Sequence, residues 1–145
     1  MTTANAGNIG APKIALTQVS SRGEGNKRRW RILWRVENLR DQRLQLKTVR
    51  FPHGQFKAEE QNLGQKFALD CGEKGEFEAA IVCDRKAGDI VENAFAIFNV
   101  ILRNKPWRIF VRLRVTIKDD GTPTAIAESI TTQRVGFSTA VLTKA

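Results

Sequence analysis

His53 is the only histidine in this chain, and there is no tyrosine, so groups able to move protons near neutral pH are scarce. His53 follows Pro52 at the end of a strand-like run, which is where a solvated turn histidine sits. The paired acids Asp119-Asp120 and Glu59-Glu60 lie in turn-like or loop-like stretches, where neighbouring side chains need not converge on a substrate. Cys71, Cys83 and His53 do not have the C-x-x-C or H-x-x-x-H spacing of a zinc site. Gly72-Glu73-Lys74-Gly75 lacks both the spacing and the strand–loop–helix setting of a phosphate-binding loop. These residues give no basis for a catalytic centre, a metal or a cofactor, and we expect a chain that is not an enzyme.

Arginine is the residue type arranged for recognition. Trp30–Val36 and Trp107–Val115 both place large apolar residues at every second position, with arginines at most positions between. A strand sends successive side chains to opposite faces, so each run buries one face and shows cations on the other. Trp30, Ile32, Trp34 and Val36 point inward in the first run, and Arg29, Arg31 and Arg35 outward. In the second, Trp107, Ile109, Val111, Leu113 and Val115 point inward, and Arg108, Phe110, Arg112 and Arg114 outward. The net charge of +9 is unevenly spread: residues 22–50 and 105–118 are strongly basic, and residues 51–104 are acidic.

The strands that position these rows are read from short alternating or apolar runs separated by Gly, Pro, Asn and Asp clusters, with no sustained helical period. We expect strands at 13–20, 28–36, 43–51, 66–70, 76–83, 93–102, 105–118 and 125–135. Leu44 and Leu46 share one parity while Val49 and Phe51 take the other, and a β-bulge near Lys47-Thr48 puts all four on one face. Pro52 is expected to end its strand. Residues 53–65 read as the longest loop, with room for a short helical turn. Residues 1–12 and 138–145 read as tails around one β-domain at 13–137. Eight such strands imply an antiparallel sandwich or barrel.

Val36-Glu37-Asn38 followed by Leu44-Gln45-Leu46, and Leu69-Asp70-Cys71-Gly72-Glu73 followed by Phe77 and Val82, resemble the V-x-N…L-x-L and L-x-x-G-E…F…V patterns of bacterial immunoglobulin-like modules. These include adhesion-type repeats and intracellular proteinase-inhibitor-like domains. The likeness spans roughly residues 30–85. It implies an all-β, immunoglobulin-like antiparallel β-sandwich of seven to nine strands and carries no functional residues. Antibody domains differ, having a cysteine pair between the sheets and a core tryptophan on the third strand.

In such a sandwich the 76–83 strand lies beside the 28–36 strand, so Glu76 and Glu78 can neutralise part of the first arginine row. The second row has no equivalent acids. The neighbours expected for 105–118 are 93–102, which is uncharged from Asn93 to Leu102, and 43–51, which adds Arg43, Lys47 and Arg50. The parity of 93–102 is open: either Ala96, Phe98 and Val100 or Phe95, Ile97 and Asn99 lie beside the arginines. We take Arg108, Phe110, Arg112, Arg114, Phe98, Arg43, Lys47 and Arg50 as the candidate partner-binding residues. Arginine with exposed phenylalanine suits a protein partner or a second copy of the chain. It also suits nucleic acid or another polyanion, with arginine on phosphate and phenylalanine stacking on a base. The alternative is a face packed under the 53–65 loop. With no apolar run long enough to span a membrane and no leader-like start, a cytoplasmic location with Cys71 and Cys83 as free thiols is expected.

Overall fold

A computed structural model describes residues 10–25 and 28–136. Nine strands carry the chain: β1 Ile14–Gly23, β2 Arg29–Asn38, β3 Leu44–His53, β4 Phe56–Asn62, β5 Ala68–Leu69, β6 Lys74–Val82, β7 Ile90–Leu102, β8 Lys105–Ile117 and β9 Pro123–Arg134. They form one antiparallel, nearly closed sheet in the order β1-β2-β6-β4-β3-β7-β8-β9, with β5 on β3. The β6–β4 junction is thin, a single bridge between Lys57 and Val82.

Both alternating runs turn their apolar face inward, as their spacing predicts. Ile32, Trp34 and Val36 join Trp107, Ile109, Val111, Leu113 and Val115 in one buried core, with Trp30 packed partly buried against it. Trp34 is its aromatic centre, stacked on Phe51 at 5.3 Å between ring centroids and edge-on to Phe56 at 6.3 Å. The parity switch in β3 resolves as expected: the register slips between Leu46 and Thr48, and Leu44, Leu46, Val49 and Phe51 are all buried.

Three expectations need correction. Residues 53–65 are mostly not a loop, because β4 folds back on β3 and buries Phe56 and Ala58; the expected helical turn comes later, as a 3₁₀ turn at Gln65–Phe67. Pro52 does not end β3, since that strand continues to His53 and Pro52 pairs with Lys57 at the β3–β4 hairpin. The first tail is shorter than 1–12, because Ala11 is buried in the core; residues 1–9 and the second tail at 138–145 lie outside the described residues.

Two local contacts hold the middle strands in place. Asn38, fully buried, donates through Nδ2 to the carbonyls of Gln42 at 2.8 Å and Leu69 at 2.9 Å, while its Oδ1 accepts from the Arg40 amide at 3.0 Å. It thereby ties the β2–β3 connection to β5. Gly75 sits where a Cβ would stand 2.8 Å from the Phe67 ring, so the β6 backbone approaches that ring as only glycine permits.

Candidate functional site

The two arginine rows separate once their neighbours are in place. Arg35 lies opposite Glu76 across β2–β6, and its Nε and Nη2 reach one carboxylate oxygen at 2.9 and 2.6 Å. Arg31 holds Glu24 at 2.6 Å and lies 3.9 Å from Glu78, which also meets Arg22 at 3.4 Å. Glu76 and Glu78 therefore act as the sequence predicts, and Glu24 is an added partner supplied by the β1–β2 hairpin. These pairs are largely exposed, each contributing at most about 1 kcal/mol, but they neutralise most of that face.

The β8 row differs. Its neighbours are β7 and β9, with β3 on the far side of β7 rather than against β8. The β7–β8 register opposes Asn99 to Arg108, Ile97 to Phe110 and Phe95 to Arg112, and on β3 Thr48 opposes Asn99 and Arg50 opposes Ile97. This settles the open parity of β7: Phe95, Ile97 and Asn99 share the outer face with the arginines. Phe98 must be removed from the candidates. It lies opposite Ile109 and Val49, both inward, and is fully buried at 6.1 Å from the Phe77 ring centroid.

The outer face of β3, β7 and β8 is thus a mosaic. Ile97 is only 6% exposed yet stands apart from the core cluster, with Arg50 and Phe110 opposite it on the two flanking strands. Phe95 and Phe110 are half-buried on a diagonal across the β7–β8 pair. Arg112 is half-buried beside Phe95, and its Nε is shielded from solvent without a hydrogen-bond partner. Arg108 donates from Nε to Asn99 Oδ1 at 3.3 Å; Asn99 Nδ2 in turn donates to Thr48 at 2.9 Å and to Glu60 at 3.3 Å. Arg114 meets Glu92 only at 3.8 Å. Arg50 and Lys47 are exposed, and among the described residues neither they nor Arg112 has a carboxylate within ion-pair distance. Arg43 is set apart at the strand end, 3.6 Å from Asp70.

Phe95, Ile97 and Asn99 escaped selection because an almost continuously apolar run has no clear parity of its own. The 53–65 segment does not pack over this face as a loop; it runs mostly as β4 on the other side of β3, and it meets this face through Glu60, bonded by Asn99, and the Gly64 carbonyl, bonded by Gln45.

The other chemistry-bearing residues that the sequence offers lie away from this face or from one another. His53 Nδ1 accepts from the Gln55 amide at 3.0 Å within the β3–β4 turn. Asp120 accepts from the Thr122 amide at 3.0 Å, which holds its carboxyl below the usual range. Asp119 and Asp120 line an open recess of about 550 Å³ with Trp30, Asp84 and Arg85, and Arg85 is held by Asp89 at 3.3 Å. Among the described residues no cluster of three or more His, Cys, Asp or Glu is placed to hold a metal, and no helix is long and apolar enough to cross a membrane. Cys71 is exposed, Cys83 is buried, and both are free thiols. No family model and no curated protein matches the chain.

Proposed function

We propose that this chain is a non-enzymatic protein-interaction module, an immunoglobulin-like β-sandwich of the bacterial type whose β3–β7–β8 outer face takes an acidic partner protein. Two thin seams support the sandwich reading: the lone β4–β6 bridge, and the β1–β9 boundary that the Gln18 side chain spans. They divide the sheet into β1-β2-β6 and β4-β3-β7-β8-β9. The cytoplasmic reading rests on two free cysteines in one chain.

The observation that carries the function is Arg112. Arg112 stands opposite Phe95 in the β7–β8 register with its Nε shielded and unpaired, whereas Arg31 and Arg35 of the other row are matched to carboxylates. A donor buried without a partner costs about 1–3 kcal/mol, a cost removed when an incoming carboxylate or carbonyl accepts from it. Arginine ringed by half-buried aromatics and a covered isoleucine has the composition of an interface centre.

A second reading follows from the diagonal placement of Phe95 and Phe110 among Arg50, Arg108, Arg112 and Arg114: stacking of bases with arginines on the phosphates of a single strand. Crosslinking in native extract, compared between the parent, Phe110→Glu and Arg112→Glu, tests the first reading. A protein crosslinked through the face residues and lost in both variants supports it. Titration with a mixed-sequence single-stranded oligonucleotide tests the second. Four phosphate contacts give log affinity a slope of about −3 against log salt, and Arg112→Glu flattens it. Identical behaviour of parent and variants in both assays refutes both readings.

A further inference from the structure

Among the described residues, the last strand has a ladder on one side only. β8 pairs with β9 along its whole length, from Pro123 to Arg134. On the other side, among the described residues, the hydrogen bonds joining β9 to β1 are the two of the Gln18 side chain, with Pro123 and Ala125. β1 and β9 run in opposite directions, since every neighbouring pair between them in the sheet order is antiparallel. From the Gln18 junction β1 retreats to its start at Ile14 while β9 continues to Arg134, so the second half of β9 runs past the end of β1.

That half is built to pair. A register slip between Ala127 and Ser129 leaves Glu128 as the extra residue, and beyond it Ser129-Ile130-Thr131-Thr132-Gln133 has no charge, glycine or proline. Ile130 is 36% exposed, and Ile126, just before the slip, is 63% exposed. Natural edge strands are usually protected by lysine or proline, and this stretch has neither.

We propose that β9 pairs antiparallel with β9 of a second copy, about a two-fold axis at Thr131. Charge complementarity selects that occupant. The only charged residues of β9, Glu128 and Arg134, have opposite sign and flank Thr131 at equal distance. Antiparallel self-pairing therefore sets Glu128 of each copy opposite Arg134 of the other, twice per dimer; Arg134 lies 5.5 Å above its own Trp107 ring and has no carboxylate within ion-pair distance among the described residues. The chain's overall positive charge does not oppose this. The outer-face residues of β9 opposite the β8 row are Ile126, Ser129, Thr131 and Gln133, all neutral. The β8 arginines of the two copies stand three strand spacings apart, about 14 Å, beyond the ~10 Å screening length at 0.1 M salt. The resulting sheet runs β3-β7-β8-β9 in each copy, presenting two cationic faces on one surface.

Sedimentation equilibrium over a wide concentration series tests this. The parent chain is expected to show a concentration-dependent dimer. Thr131→Lys, at an exposed position, sets two ammonium groups face to face across the axis and is expected to weaken the dimer at least about tenfold, with an unchanged circular dichroism spectrum. Glu128→Arg and Arg134→Glu are each expected to weaken it, and the double variant to restore it, because exchanging the signs recreates the same pairs. A parent chain that stays monomeric, a Thr131→Lys dimer as tight as the parent's, or a double variant no tighter than the single ones overturns the proposal.

Discussion

Gln18 and Ala125 are joined as if Gln18's side chain were a stretch of strand. Its Oε1 accepts from the Ala125 amide at 2.7 Å while its Nε2 donates to the Pro123 carbonyl at 3.1 Å. A primary amide carries the same donor and acceptor as a peptide group, so one side chain spans a gap the two backbones leave open. This makes the sheet nearly closed rather than merely curled.

Replacing Gln18 by Leu is therefore expected to cost about 1–3 kcal/mol, because the Pro123 carbonyl and the Ala125 amide lose their partner in a part-buried seam. A urea unfolding midpoint measures the loss. Amide exchange locates it: Ala125 should exchange faster in the variant while the β7–β8 amides do not. Gln18→Glu should be intermediate, keeping the acceptor for Ala125 and losing the donor to Pro123.

Asn38 is the buried polar residue among the described residues, and its three side-chain bonds hold a turn together. Asn38→Ala is expected to destabilise by about 2–4 kcal/mol, since two carbonyls and one amide are left without it. Asn38→Asp tests the polarity of the site. A carboxylate facing the Leu69 and Gln42 carbonyls cannot donate, so this variant should be less stable at neutral pH than at acid pH, where the protonated acid supplies one donor. Equal stability of Asn38→Asp and the parent in chemical denaturation at both pH values would contradict this assignment.

The two thiols should behave as different reagents. Cys71 is exposed and should react at once with an alkylating agent, whereas Cys83 is 2% exposed and should react only on unfolding. Burial pushes the Cys83 thiol up to about 11 from 9.0. Folding therefore retains a proton that the unfolded chain releases. The Cys83 contribution is fully present below about pH 9 and is lost as pH rises toward 11, a change of up to ~3 kcal/mol. Denaturant titrations at stepped alkaline pH read that slope, and Cys83→Ala should reduce it.

The parts of this fold legible in the amino-acid sequence are those governed by period two. Trp34 and Ile109 are inward and Arg35 and Arg112 outward because a strand alternates, whatever its partners. The slip at Lys47 is readable because Leu46 and Val49 must share a core. The pairing of Arg35 with Glu76 is readable from strand adjacency and charge.

Tertiary structure decided whatever had no parity or no local partner. The run from Phe95 to Leu102 is apolar on both faces, so only its register against Trp107 and Ile109 could place Phe98 in the core and Phe95 beside Arg112. β4 is hidden in the sequence because Lys57, Glu59, Glu60 and Gln61 give it the composition of a loop. A strand with its ladder only on β3 and one bridge to β6 needs few apolar residues. Gln18 is one polar residue in a polar stretch until the fold brings Ala125 beside it, more than a hundred residues along the chain. Alternation is a property of the backbone and is visible locally; register, edges and seams are properties of neighbours, and they exist only once the neighbours have met.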